Sequence, residues 1–357
     1  MQSFFKASRL HFIGTWKARY QEILDSVPPP PPLPPPLAHG GRIIAHVDMD
    51  CFFCSVGVKG RSELQGQPVA VCWGDATSEN AQHAEISSAN YVARKFGVRA
   101  GMFIGKAKEL CPQLITIPYE FDKYTSTAET MYRCLFAITP HVQGVSVDEA
   151  FADITSLVAG ENVQNLKEVV IAVANRIRKE ILEATGCPAS VGCAGNRFLA
   201  KIATSQAKPD GSFFIPKENV LDFLAELPVS KLPGVGYNTV DKLSNRLEVH
   251  SVQDLRNRPR AFLQEQFGEK TGRLLFEFSR GIDNRPWESR PIRKSVGAQI
   301  TWGVRFNEMS EVFQFIEKLS AEVSSRMHKA RVKGRTVQVR PSLILSRAHP
   351  HPPRSLS

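Results

Sequence analysis

The sequence contains no apolar run of membrane-spanning length and no amino-terminal stretch of the secretory kind, which argues against a helical membrane protein and a secreted one. Cysteine is scarce and odd in number, seven in 357 residues, so no disulfide framework is expected. Cys51 and Cys54 form a C-x-x-C pair, but no second pair completes a tetrahedral zinc set. Phe52 and Phe53 fill the gap, and both thiols are read as reduced and buried. No internal repeat is present, which excludes a solenoid or propeller. The first 21 residues lack any acid while carrying Lys6, Arg9, Lys17 and Arg19, a pattern that a mitochondrial presequence shares with a basic surface helix.

What is present points to a polyanion. Forty-five Lys and Arg against 35 Asp and Glu leave a net charge of +10. With 42% hydrophobic residues the chain can bury a substantial core, divided by its length into two or three compact units.

Residues 28 to 36 are proline except for Leu33, which makes this stretch an extended linker or spacer. Before it, Ile13, Trp16, Tyr20, Ile23 and Leu24 recur at helical spacing and predict a small amphipathic appendage tethered to the main body. From Arg42, IIAHVDMDCFF reads as a buried strand, and Ala84 to Ile86 as a strand handing over at Ser87 and Ser88 to a helix that stops at Gly97. Val163, Leu166, Val169, Val170, Val173, Ile177 and Ile181 mark an amphipathic helix ending at Gly186. After Pro209 and Gly211 the pattern changes to short helices. Beyond a basic link at Arg290 to Lys294, strands over Ser295 to Phe306 and Thr336 to Val339 flank a helix over Glu311 to Met327. Pro341 to Ser357 has no sustained periodicity. The fold class expected is α+β.

Asp48 and Asp50 lie two apart on a predicted strand, which points both to one face, and Asp148 and Glu149 lie in a second strand-like run, VSVDEAFADI. A regular strand would send Asp148 and Glu149 to opposite faces, so serving one site requires a turn between them. If they converge with Asp48, the like charges need cations, and hard oxygen ligands suit magnesium in two-metal phosphoryl transfer. Solvated acids at strand ends are the alternative. Ser87, Ser88, Tyr91 and Arg94 stand where strand becomes helix, presenting amides, a hydroxyl, a phenol and a guanidinium to one region, as a triphosphate requires. An ordinary helix cap with a core tyrosine fits the same letters. Lys208 is either a phosphate ligand or a turn lysine. In Leu232-Pro-Gly-Val-Gly236, the glycines Gly234 and Gly236 flank Val235 in a turn that lets amides approach a DNA phosphate, or simply joins two helices.

Taken together, HVDMDCFF at 46 to 53, SSANYVARKFGV at 87 to 98, SVDEAF at 146 to 151, VGCAGNRFLAKIAT at 191 to 204, AKPDG at 207 to 211 and LPGVG at 232 to 236 resemble the Y-family translesion DNA polymerases in order and spacing. SRLHF and TWK near the amino terminus, with SRGID at 279 to 283 and KSVGAQITWGVRF at 294 to 306, resemble its deoxycytidyl transferase branch.

The resemblance implies a multidomain right-hand polymerase. Its parts would be an amino-terminal digit (1–27), the Pro-rich linker (28–41), a palm (42–51 and 119–215), fingers (52–118), a helical thumb with a helix-hairpin-helix (216–288), a truncated little finger (295–340) and an unstructured tail (341–357). It assigns two magnesium ions to Asp48, Met49 (through its carbonyl), Asp148 and Glu149, and leaves Asp50 outside the metal set. Cys51, Phe52, Ser88, Tyr91, Arg94 and Lys208 would hold the nucleotide, with Asp48, Met49, Asp50 and Asp148 around it and Phe53 under its sugar. Arg9 would act as the template for dCTP, Leu10 would displace the template base, and Gly234, Val235 and Gly236 would touch DNA. Primed or damaged DNA, a nuclear location and a monomer are expected, with the family's carboxy-terminal recruiting domains absent. A catalytically weak DNA-binding fragment is the alternative function.

Overall fold

The computed structural model describes residues 8–38, 41–73, 82–160, 165–300 and 304–340. Through Pro291 the chain forms one compact unit, and a second begins at Ile292.

Helix α1 (Arg9–Ser26) starts at Ser8, whose hydroxyl accepts the His11 N–H. Its apolar stripe of Trp16, Tyr20, Ile23 and Leu24 is buried in the main core. The expected tethered appendage is therefore a built-in element, because burying such side chains contributes about 1.5–3 kcal/mol each. Tyr20 lies 4.9 Å from the Tyr132 ring, and its hydroxyl accepts the Gly144 N–H at 2.9 Å. A Cβ on Gly144 would stand 2.7 Å from Cζ of the Tyr20 ring, so the contact requires glycine.

Strand β1 (Ile44–Met49) is followed by α2 (Phe52–Val58), β2 (Val69–Cys72), β3 (Ile86–Ala89), α3 (Tyr91–Lys95), α4 (Ile104–Leu110), β4 (Ile115–Ile117) and α5 (Phe121–Ile138). Then come β5 (Val142–Gly144), β6 (Glu149–Asp153), α6 (Leu166–Thr185), β7 (Ala189–Ala194), α7 (Arg197–Ala207) and β8 (Ser212–Ile215). Five strands form one sheet in the order β5-β6-β1-β7-β8, and three form another in the order β3-β2-β4. The architecture is α+β.

Alternation along β1 sets up the site. Ala45, Val47 and Met49 join one core with Tyr124, Met131 and Ile177 of α5 and α6. Ile44 joins a second core with Phe198 and Ile202 of α7, and on that same strand face stand His46 and Asp48. The α7 backbone lies against β7 so closely that a Cβ on Gly192 would meet the Thr204 nitrogen. Backbone contact of this kind brings the lysines of α7 and of the turn after it over the end of β1.

Several sequence expectations need correction. The first strand ends at Met49 rather than running to Phe53, because Cys51 turns the chain with a left-handed backbone (φ 38°) and opens α2. Ser87 and Ser88 belong to β3, paired with β2, and the helix cap is Asn90, whose side chain accepts the Ala93 N–H. The stretch after Gly211 begins with a strand, β8, in parallel with β7. In the second unit the helix appears as Met309–Lys329, but the described residues of Ser295 to Phe306 and Thr336 to Val339 join no ladder. Alternating residues make a strand only where a neighbour takes their backbone hydrogen bonds. Val163, residues 301–303 and the tail from Pro341 lie outside the described residues. The cysteines are free, with Cys54 buried and Cys51 half-buried.

Candidate active site

Asp48 and Glu149 are paired across the β1–β6 ladder, and the Met49 N–H donates to the Asp148 carbonyl at 3.0 Å. The chain bends before β6: the Val145 and Ser146 N–H groups both donate to the Glu149 carbonyl at 3.0 Å. The bend keeps Asp148 off the strand that begins at Glu149, so the two acids are not held to the opposite faces that successive strand residues take.

Each acid has its own internal partner. Lys208 Nζ donates to Asp48 Oδ1 at 2.5 Å, and Ser146 Oγ to Asp148 Oδ1 at 2.6 Å. Glu149 Oε1 receives Lys201 Nζ and stands 2.5 Å from His46 Nε2. Burial pushes the Asp48 carboxyl above its ordinary value, against the pull of Lys208, and Asp148 adds to the push. Burial raises Asp148 as well, opposed by the Ser146 hydrogen bond and reinforced by Glu149. For Glu149 burial acts upward too, yet His46 and Lys201 together hold it down at about 2. Burial pushes His46 below its ordinary value, against the pull of Glu149, and its Nδ1 lies 2.8 Å from Thr204 Oγ1.

Among the described residues no three His, Cys, Asp or Glu side chains meet in a metal-holding group. The donor set nonetheless fits a hard divalent cation. Asp48 and Asp148 are carboxylates whose burial and mutual charge disfavour ionisation, and ammonium groups stand where a cation would relieve them.

The other sequence-selected residues divide between this site and its surroundings. Cys51, Phe52 and Phe53 form the corner after β1, with Phe53 set 4.5 Å from the Tyr124 ring. Ser88 Oγ donates to the Cys51 carbonyl at 3.4 Å, joining β3 to that corner. The Tyr91 hydroxyl donates to Asp50 Oδ1 at 2.9 Å, and the Arg94 guanidinium lies 4.7 Å from the Tyr91 ring centre. Arg9 Nη2 donates to Glu85 Oε1 at 3.3 Å, and Leu10 is 49% exposed. Gly234 has a left-handed backbone (φ 84°), and Gly236 caps the short helix Tyr237–Asp241. Nothing lies within 4 Å of a Cβ built on either glycine, which leaves the turn open to a large ligand.

Sequence reasoning passed over His46, Lys201 and Glu85, and took Ser146 for a turn residue only. Two of these carried a signal. His46 shares strand parity with Asp48, and Lys201 precedes Lys208 by two helical turns.

Residues 47–205 match the impB/mucB/samB family, 230–283 the thumb domain of DNA polymerase iota, and 293–342 the impB/mucB/samB family C-terminal domain. DNA polymerase IV of Shewanella frigidimarina is 37% identical over 289 residues, covering 81% of this chain and 77% of that protein. Among solved structures, DinB from Sulfolobus solfataricus aligns with a TM-score of 0.61 and 31% identity over 69% of each chain. An insertion ternary complex of Dbh DNA polymerase aligns with a TM-score of 0.62 and 27% identity over 80% of each. The chain thus belongs to the Y-family of DNA polymerases, which are nucleotidyltransferases.

Its branch follows from the eukaryotic relatives. DNA repair protein REV1 of Arabidopsis thaliana is 42% identical over 346 residues, or 94% of this chain, and rev1 of Schizosaccharomyces pombe 37% identical over 98% of it. These matches put the chain on the REV1 side of the family. It spans 30% and 36% of the length of those two proteins.

Proposed function

We propose that this chain adds dCMP from dCTP to a DNA primer 3′ end opposite guanine or an abasic site, in nuclear translesion synthesis. The observation that carries the reading is the in-register pair Asp48 and Glu149 with Asp148 beside it and Lys208 and Lys201 on their oxygens. The five-stranded sheet would be the palm, the three-stranded sheet part of the fingers, and the short helices up to 288 the thumb.

Asp48, Asp148, Glu149 and the Met49 carbonyl would hold two magnesium ions, which when bound favour ionisation of the primer hydroxyl and offset triphosphate charge. The chain's own groups do the positioning. Lys208 and Arg94 supply fixed cationic charge to phosphate, Ser88 ties β3 to the Cys51–Phe52 corner, and Phe53 walls the space under the sugar. Lys208 can pass from Asp48 to phosphate without leaving an acid unpaired once a cation takes its place.

Arg9 supplies the choice of base. Cytosine offers adjacent N3 and O2 acceptors to two parallel guanidinium donors, whereas thymine and guanine present a ring N–H there. The helix carrying Arg9 is anchored by Trp16 and Tyr20 in the main core, which supports its use as a fixed template. Leu10, exposed on the same turn, would stand in for the template guanine, and the Gly234–Gly236 turn would hold a DNA phosphate. The protein would act as a monomer on primed or damaged DNA.

A second reading, a DNA-binding chain with little turnover, is favoured by the lack of any ladder among the described residues of the second unit. Primer extension with each of the four nucleotides separates the two. Extension with dCTP above the other three supports the transferase, equal use of all four overturns its base choice, and DNA binding without extension supports the second reading.

A further inference from the structure

Asp50 follows β1 directly, is 1% exposed, and has every polar atom occupied from within the protein. Its N–H donates to the Pro188 carbonyl at 3.0 Å, and its own carbonyl accepts Ser55 Oγ at 2.5 Å. Its carboxylate accepts three donors from three separate stretches of chain. These are the Tyr91 hydroxyl at 2.9 Å, Ser190 Oγ at 2.9 and 3.0 Å, and the Asp210 N–H at 2.7 Å. A carboxylate has about four acceptor positions, and a buried one is held by filling them.

The three donors link the two sides of the site. Tyr91 opens α3 in the smaller sheet's layer, Ser190 lies on β7, and Asp210 belongs to the turn that carries Lys208. Asp210 has a left-handed backbone (φ 47°) and is clasped from its other side by Arg178, whose Nη2 donates to Asp210 Oδ1 at 2.6 Å. The turn is thus pinned between Arg178 and Asp50, two residues from the Lys208 ammonium.

Proton counting adds a constraint on Tyr91. A phenol has one proton to donate, and here Asp50 receives it. Toward a phosphate oxygen, itself only an acceptor, Tyr91 in this arrangement offers no donor.

We infer that Asp50 is a positioning residue that locks Tyr91 and the Lys208–Asp210 turn to one another, fixing the width of the triphosphate site without touching the nucleotide. The inference rests on the proposed reading of this site as the nucleotide site. It differs from direct contact in one measurable respect: Tyr91 and Asp50 act as a unit.

The test measures KM for dCTP and for the other nucleotides, together with dCTP affinity for the protein bound to a dideoxy-terminated primer. Asp50→Asn keeps the shape but turns an acceptor into a donor facing a donor. It should weaken nucleotide affinity and raise KM by about tenfold, the effect of one unmet buried hydrogen bond. The rise should be equal for every nucleotide, leaving base preference and DNA affinity as in the parent. Tyr91→Phe should give a smaller rise, and the double variant should be no worse than Asp50→Asn alone. Multiplied effects in the double variant, or unchanged affinity in Asp50→Asn, overturn the inference. If Asp50→Asn does not fold, Ser190→Ala and Tyr91→Phe each remove one donor and leave the carboxylate. Unchanged nucleotide affinity in both would then overturn it. A parent that extends no primer would instead sink the proposed function, and binding to the terminated primer would still report on Asp50.

Discussion

Lys208 sets its ammonium 2.5 Å from the Asp48 carboxylate across 160 positions of sequence, so the acid at the end of β1 is neutralised by the turn that follows α7. Lys201, two helical turns earlier, does the same for Glu149. Two of the three acids are thus balanced by internal ammonium groups and the third by the Ser146 hydroxyl; on the proposed reading, bound cations would take the ammonium groups' place.

Asp48→Asn, Asp148→Asn and Glu149→Gln should each reduce incorporation on the order of a thousandfold or more, since metal-held transition-state charge is worth several kcal/mol. DNA affinity, measured by fluorescence anisotropy, should stay near that of the parent. Near-normal turnover in all three would remove these residues from the reaction.

The acids differ in how they shape stability with pH. Asp48 and Asp148 are raised on folding, so their ionisation penalises the folded state as pH climbs through their folded values. Glu149 is depressed from 4.5 to about 2, so its contribution is present above about 4.5 and is lost as pH falls toward 2. At neutral pH without divalent cations, Asp148→Asn should therefore melt above the parent, by roughly 2–4 °C for each kcal/mol relieved. Magnesium should raise the parent more than the variant. A variant that melts below the parent and gains equally from magnesium would contradict the assignment.

Arg9→Ala should lose the preference for dCTP, which a bidentate base contact supports by about 1–3 kcal/mol, or roughly tenfold to a hundredfold. Deleting residues 1–27 should do so too, but it also uncovers the core beneath Trp16 and Leu24, so its thermal stability must be measured beside it. An Arg9 variant that still favours dC as strongly as the parent would end the protein-template reading.

Phe53 is 8% exposed and packs on Tyr124, so trimming the ring opens space while costing some packing. Phe53→Val should narrow the discrimination between dCTP and CTP. Unchanged discrimination in a folded variant would show that the ring does not guard the 2′ position.

What the sequence disclosed was local. Parity carried Asp48 to its place on β1 but failed for Asp50, which lies past the strand's end at Met49, while the bend ahead of Glu149 could be anticipated from the adjacent acids. The helix over Glu311 to Met327 came from its period and appears as Met309–Lys329. The partners of those acids were not legible: Lys201 and Lys208 meet β1 only because α7 lies against Gly192. The failures share a cause. Ser295 to Phe306 has a strand's alternation, but its described residues have no pairing neighbour, and Ser87-Ser88 looks like a helix cap until the β2 pairing claims it. Whether a neighbouring strand is there, and not local preference, decided both outcomes.

Gly144 carries no side chain, and the Tyr20 ring fills the place where one would be. Every glycine codon lies one base from an alanine codon, so a single point mutation could wedge a methyl group under the helix that bears Arg9. The acids at the end of β1 would be untouched. On the proposed reading, heredity therefore has a one-letter route to a polymerase that keeps its catalytic centre and forgets which base it was built to write.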